Sequence, residues 1–252
     1  MHPVLFKIGS ITIHTYGVFV ALGIFSAISV AIRLASREGI SSSIISDMCF
    51  WMIIWGIIGA RFVYVLMNIS YYLKFPLEIL ELWKGGLVFT GALISACLVA
   101  GVYVKKYSLN FWIIGDIIAP SAALGQAVGR IGCFMAGCCY GKITHIPWAV
   151  TFRDPYCLAP LNVPLHPTQL YHCFACLIIF FSLLLLWKHK SFDGQVFLWY
   201  LLMHSLQRLI IEKFRGDLQP ILGNMTLTQF ISIVVLLTAG ISIIVRKKRI
   251  DK

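Results

Sequence analysis

The chain has 252 residues, 59% of them hydrophobic and 12% charged. Soluble domains carry about 25% charged residues, so half that share cannot cover a water-facing surface, and a soluble globular domain is excluded. The formal charge of +11 does not indicate nucleic acid, because the basic residues are dispersed between apolar runs. Their tightest cluster, Arg246, Lys247, Lys248 and Arg249, suits a topology and headgroup anchor.

A spanning helix takes about 20 mainly apolar residues. In chain order the runs that fit are Ile13–Ala35, Ile44–Met67, Leu87–Val104, Phe111–Val128, Cys173–Trp187, Gln195–Ile211 and Leu227–Val245. The first follows Lys7 and has no small-residue cleavage site, so it reads as a retained span. The expected fold is therefore all-α: a polytopic membrane protein with about seven transmembrane helices, forming one integral domain over residues 1–252. Arg37, then Lys105 and Lys106, then Lys188 and Lys190, then the basic tail fall on one side. The opposite loops mix signs: Lys74, Glu78, Glu81 and Lys84; Lys142, Arg153 and Asp154; Lys213, Arg215 and Asp217. The positive-inside rule puts the N-terminus outside and the C-terminus in the cytoplasm. The longest connection, 129–172, is rich in Gly and Pro and reads as an irregular outer loop.

Arg130 closes a nearly uncharged run among Gly125, Gly129 and Gly132. It suits either a snorkelling anchor or a ligand site, where small residues leave room. His204, Arg208, Glu212 and Arg215 follow at spacings of four, four and three, one polar stripe of a helix. Ionisable groups at such depth are functional candidates, although Arg208 and Glu212 could also brace one another. Arg61, Tyr64, Tyr16 and Gly17 suit either interface anchors or site residues. The run Gly85–Gly91 suits an anion-binding helix start or a turn with positive φ. Cys133, Cys138 and Cys139 form a C-x4-C-C pattern for which a disulfide, packed thiols and a metal site all remain open. Arginines near the outer leaflet, with glycine turns, point to recognition of a lipid phosphate, which arginine binds bidentately.

Gly129-Arg130-Ile131-Gly132-Cys133-Phe134-Met135-Ala136-Gly137-Cys138-Cys139-Tyr140-Gly141 resembles the signature segment of the prolipoprotein diacylglyceryl transferases, G-R-x-G-N-F-x-N-x-E-x-x-G. Tyr16-Gly17, Gly59-Ala60-Arg61 with Tyr64, Asp116, Pro120, Gly125-Gln126, His166-Pro167-Thr168-Gln169-Leu170-Tyr171, the late Arg208, Glu212 and Arg215, and Gln229 match further motifs in order. The resemblance covers nearly the whole chain. It implies a transferase of the bacterial cell (inner) membrane. Such an enzyme moves the diacylglyceryl group of phosphatidylglycerol to the lipobox cysteine of preprolipoprotein signal peptides and releases glycerol 1-phosphate. This is the first step of lipoprotein maturation. Arg130 and Arg208 would stabilise the leaving phosphate, with Glu212 orienting Arg208. Tyr16, Arg61, Thr90, Gly91, Gly132, Cys133, His166, Gln169, Tyr171 and Arg215 would bind substrate. No metal or organic cofactor is implied.

The acid/base half of the pattern departs from the family. Phe89-Thr90-Gly91-Ala92 stands where the family has Phe-His-Gly-Gly, and that histidine is a proposed general base. Cys133 replaces the signature asparagine, Cys138 the signature glutamate, His172 a glutamate and His204 a tyrosine. His204 or His172 is then the substitute base. The alternatives are a related phosphatidylglycerol-dependent transferase with another acceptor, and a non-catalytic lipid-binding or transport protein on the same scaffold.

Overall fold

The computed structural model describes residues 2–8, 11–82, 85–217 and 225–250. Lys84 lies outside them, as does the side chain of Arg249. A hairpin of β1 (Val4–Ile8) and β2 (Ile11–His14) leads into α1 (Thr15–Arg37). α2 (Ser42–Met67), the short α3 (Ile69–Tyr72) and α4 (Phe89–Lys106) follow. Then come α5 (Phe111–Ala136), the two-residue strands β3 (Val150–Thr151) and β4 (Pro164–Leu165), α6 (Thr168–Trp187), α7 (Gln195–Glu212) and α8 (Leu227–Ile250). The long helices fall on the seven apolar runs, and the two small hairpins add to the all-α expectation. Among the described residues, six helices are long and apolar enough to cross a membrane. α7 falls short because its 18 residues include Gln195, His204, Gln207, Arg208 and Glu212. The chain is a multi-pass membrane protein.

The 129–172 connection is shorter and more ordered than its composition suggests. α5 continues through Arg130, Gly132 and Cys133 to Ala136, and α6 starts at Thr168 rather than Cys173. Glycine is tolerated in such a helix where it lets another backbone come close. A Cβ on Gly132 would lie 2.9 Å from the Phe19 Cβ and 3.2 Å from the Tyr16 carbonyl oxygen. Gly23 and Gly125 make a similar approach farther along the same two helices. What remains of the loop encloses its own core of Phe152, Ala159 and Leu165, packed by Phe134, Tyr140 and Val163.

The chain divides into two compact units, one of Met1–Ala31 with Gly115–Lys252, the other Ile32–Ile114. In the larger unit, buried polar side chains finish helices that side-chain sequence would leave open. The Asp116 carboxylate is fully buried on α5 and accepts N–H bonds from Gly194 and Phe197, both 2.9 Å, at the start of α7. A carboxylate there satisfies two orphan donors and opposes the positive end of the helix dipole. Lys190 lies 3.7 Å from the same carboxylate. Thr226 and Gln229 form a reciprocal capping box on α8. The Gln229 N–H donates to the Thr226 hydroxyl (3.2 Å), and the Thr226 N–H donates to the Gln229 side chain (3.1 Å).

In the smaller unit the backbones of α2 and α4 meet at Gly59 and Gly91. A Cβ on Gly91 would sit 2.3 Å from the Gly59 carbonyl oxygen, so the crossing requires glycine at both places. Gly85 and Gly86 take φ of +83° and +75°, and the N–H groups of Gly91 and Ala92 both donate to the Val88 carbonyl. The Gly85–Gly91 run is thus a turn feeding α4, and these N–H groups are already engaged.

Candidate active site

The larger unit gathers most of the expected site residues, and helix periodicity explains how. Gln126 and Arg130 lie one turn apart on α5, as His204 and Arg208 do on α7. The Gln126 side chain joins the two helices: its amide donates to the Tyr200 hydroxyl (2.9 Å) and its carbonyl pairs with His204 Nε2 (2.9 Å). α5 and α7 are separated by one intervening span, so they cross in the same direction. One turn beyond the Gln126–His204 contact, each helix carries its arginine.

These two arginines differ from the buried Arg61 and Arg215 in having open guanidinium groups. Among the described residues, Arg130 makes no hydrogen bond or ion pair, although it is half-buried. Arg208 uses only Nε, which donates to Glu212 at 3.2 Å, and both terminal nitrogens remain available. Glu212 is fully buried at its side chain, and its second oxygen accepts a hydrogen bond from the Thr226 hydroxyl. The carboxylate is held from two helices and fixes the fork of Arg208. The ordered motifs and the charged stripe do not include Thr226, whose signal in the sequence is its T-x-x-Q capping spacing to Gln229.

Arg215 is buried and donates to both oxygens of Asp217, at 2.9 and 2.7 Å. Burial works against its charge, but the Asp217 pair outweighs this and raises its pKa. Its backbone bridges to Gly141, and Lys142 N–H donates to the Phe214 carbonyl (2.8 Å), stitching the signature loop to the end of α7. Gln126 fixes the tautomer of His204: an amide oxygen on Nε2 requires the proton there, which leaves Nδ1 with the lone pair. His172 is buried on α6, and its Nε2 has no partner among the described residues. The charges of Arg130, Arg208 and Arg215 all bear on that ring.

The cysteine cluster follows from how α5 ends. Gly137 has φ +75°, its N–H donates to Phe134 O and the Cys138 N–H donates to Cys133 O, a Schellman motif. That motif brings together the side chains at the positions of Cys133 and Cys138. Cys139, at φ +57°, turns its own thiol back toward them. The three Sγ atoms lie within 4.8 Å of one another. Thr168 Oγ1 donates to the Cys139 carbonyl (2.7 Å) and Gln169 Nε2 to the Cys138 carbonyl (2.8 Å), so α6 pins the loop. All cysteines are free thiols. Thiol hydrogen bonds from Cys133 and Cys138, then the nearby Arg130 and Arg215 charges, hold the Cys139 thiol well below its ordinary pKa. Cys138 moves up, because its neighbours' hydrogen bonds favour its protonated form.

His166 and Tyr171 sit beside this loop. Tyr171 accepts from the Trp148 indole (2.9 Å) and pairs with His166 Nδ1 (3.2 Å), and both rings pack on Phe214. Tyr16, in the first turn of α1, is 44% exposed, and its backbone packs on Gly132.

Arg61, Thr90 and Gly91 lie in the smaller unit. Arg61 is buried, and each guanidinium nitrogen meets a carbonyl: Nε with Ile79 (2.9 Å), Nη1 with Gly85 (2.8 Å), Nη2 with Glu78 (2.6 Å). Its guanidinium also stacks by Tyr64 and Tyr72. Arg61 therefore braces the backbone at Glu78, Ile79 and Gly85 and has no open fork for a phosphate. Gly91 is buried at the α2–α4 crossing, and Thr90 is exposed beside it.

Residues 3–245 match the family model for prolipoprotein diacylglyceryl transferase. The chain is 36% identical over 234 residues to the phosphatidylglycerol–prolipoprotein diacylglyceryl transferase of Clostridium tetani, covering 92% of this chain and 93% of that protein. It is likewise 36% identical to that of Finegoldia magna over 253 residues, 100% of this chain and 98% of the relative. The match to the Trichormus variabilis protein is 36% over 258 residues, 98% and 91%. The chain belongs to the prolipoprotein diacylglyceryl transferase family.

Proposed function

We propose that this protein transfers the diacylglyceryl group of phosphatidylglycerol to the lipobox cysteine thiol of preprolipoproteins and releases glycerol 1-phosphate. The reaction takes place at the outer side of a bacterial cell membrane, with the N-terminus outside and the C-terminus in the cytoplasm. The observation that carries this reading is the pair of open guanidinium groups, Arg130 and Arg208, one turn beyond the Gln126 bridge. The leaving phosphate gains negative charge as its ester bond to the lipid breaks. Preorganised donors aimed at that charge lower the barrier, whereas flexible ones do not. Glu212 is a positioning residue: it holds Arg208 by Nε and leaves the fork for the phosphate oxygens. His204, whose Nδ1 carries the lone pair, takes the acceptor's proton in place of the histidine that Thr90 replaces. Tyr16, Gly132, Cys133, His166, Gln169, Tyr171 and Arg215 shape the substrate site. In the smaller unit, Arg61 holds the turn before α4 and Gly91 makes the α2–α4 crossing.

The test uses purified protein in phosphatidylglycerol vesicles with a lipobox peptide. Glycerol phosphate release that depends on the peptide cysteine is the expected result. Lipid turnover with a Cys→Ser peptide would assign a different acceptor, and lipid binding with no turnover would end the enzyme reading.

A further inference from the structure

We infer that Cys133, Cys138 and Cys139 form a three-thiolate site for a zinc ion whose fourth position takes the acceptor cysteine of the substrate as a thiolate. The inference deepens the transferase reading above and rests on it for the identity of that fourth ligand.

The geometry comes first. Tetrahedral zinc with sulfur ligands at about 2.3 Å places sulfurs about 3.8 Å apart. The three Sγ atoms already lie within 4.8 Å of one another, about 1 Å above that spacing. The backbone is held on both sides: by the Schellman motif at the end of α5, and by Thr168 and Gln169 on the carbonyls of Cys139 and Cys138. A donor set fixed in this way is a preformed site. Three protein ligands with one open position is the arrangement of catalytic rather than structural zinc. The cluster is half-buried, which leaves that position reachable.

Charge agrees. Three thiolates around a divalent ion carry one net negative charge, and a fourth thiolate adds another. Arg130 and Arg215 act electrostatically on Cys139, and Arg130 has no ion-pair partner among the described residues.

The chemistry also fits. Thiols alkylate as thiolates, and zinc deprotonates a coordinated thiol outright. In this chain cysteines stand at the signature asparagine and glutamate, and threonine stands at the expected base. The acceptor thiol binds zinc and its proton passes to His204. A sulfur lone pair then forms the S–C bond to the glyceryl carbon. The C–O bond to phosphate breaks, and its electron pair leaves with the glycerol phosphate. No redox change occurs. The thioether product is neutral and a weak ligand, so it leaves the metal. This departs from the metal-free chemistry that the family resemblance implies, and the departure follows from the cysteines.

The purified wild-type protein in phosphatidylglycerol nanodiscs is assayed for zinc by elemental mass spectrometry, then exchanged with Co2+. We expect one zinc per chain and a thiolate-to-cobalt charge-transfer band that Cys139→Ser weakens and Cys157→Ser leaves intact. A lipobox peptide with cysteine should intensify the band by about a third, in proportion to a fourth thiolate, and its serine analogue should not. Absence of bound zinc together with absence of the cobalt band overturns the proposal. So does a disulfide between any two of the three cysteines in the native protein. A cobalt band indifferent to the cysteine peptide, or full peptide modification after the metal is stripped, also overturns it. The spectroscopic readouts do not depend on turnover. Failure of the transferase reading is separate: no glycerol phosphate is released with or without metal.

Discussion

Arg208 and Glu212 show how much one hydrogen bond can direct. Glu212 takes Nε alone, so the arginine is oriented and still has its fork. Arg208→Ala or Arg130→Ala should lower kcat about 100-fold or more, the scale for removing a preorganised donor to a developing anion. Glycerol phosphate release with the lipobox peptide measures this, and full activity in either variant would remove the phosphate role. Glu212→Gln keeps the shape but loses the charge, so it should fall between Arg208→Ala and wild type. Arg61 behaves in the opposite way although it carries the same guanidinium. Every nitrogen meets a carbonyl, so Arg61→Lys should destabilise the backbone at Glu78, Ile79 and Gly85, because an ammonium cannot span carbonyls arranged for a planar fork. Thermal unfolding in detergent reports this.

At the scale of elements, caps and crossings link stability to the site. Thr226 starts α8 and also donates to Glu212, so Thr226→Val removes two functions with one hydroxyl. Cap loss costs about 1 kcal/mol, and the loosened carboxylate should also lower kcat. A fall in thermal stability with unchanged kcat would separate the cap from the Arg208 geometry. The α2–α4 crossing is steric. Gly59→Leu or Gly91→Leu would force apart helices whose backbones meet at glycine, with a cost of about 1–3 kcal/mol or more as overpacking. Gly101→Leu, a glycine with open space around it, is the control expected to be neutral.

For the whole molecule, the charge asymmetry predicts the membrane orientation. A cysteine introduced at Lys142 should react with an impermeant maleimide added to spheroplasts, and one at Lys247 should react only after permeabilisation. The reverse pattern would invert the topology. Span positions were legible because a bilayer imposes one length and one polarity on every crossing. Their ends were less legible. Gly129 and Gly132 read as a loop, yet α5 continues through both to Ala136, and Gly132 allows a close approach to α1.

The sequence by itself determined the membrane class, the seven helical runs and, through ordered motifs, the family. It also named Arg130, Arg208 and Glu212, because a charge in an apolar run stands out without any coordinates. Only the tertiary structure decided which arginines are open and which are engaged. It also decided that Asp116 caps a distant helix, and that Cys133, Cys138 and Cys139 converge. The physical reason is that polarity and period are local properties of a chain. Whether a donor is already satisfied depends on carbonyls and carboxylates many residues away, which only folding brings within hydrogen-bond distance.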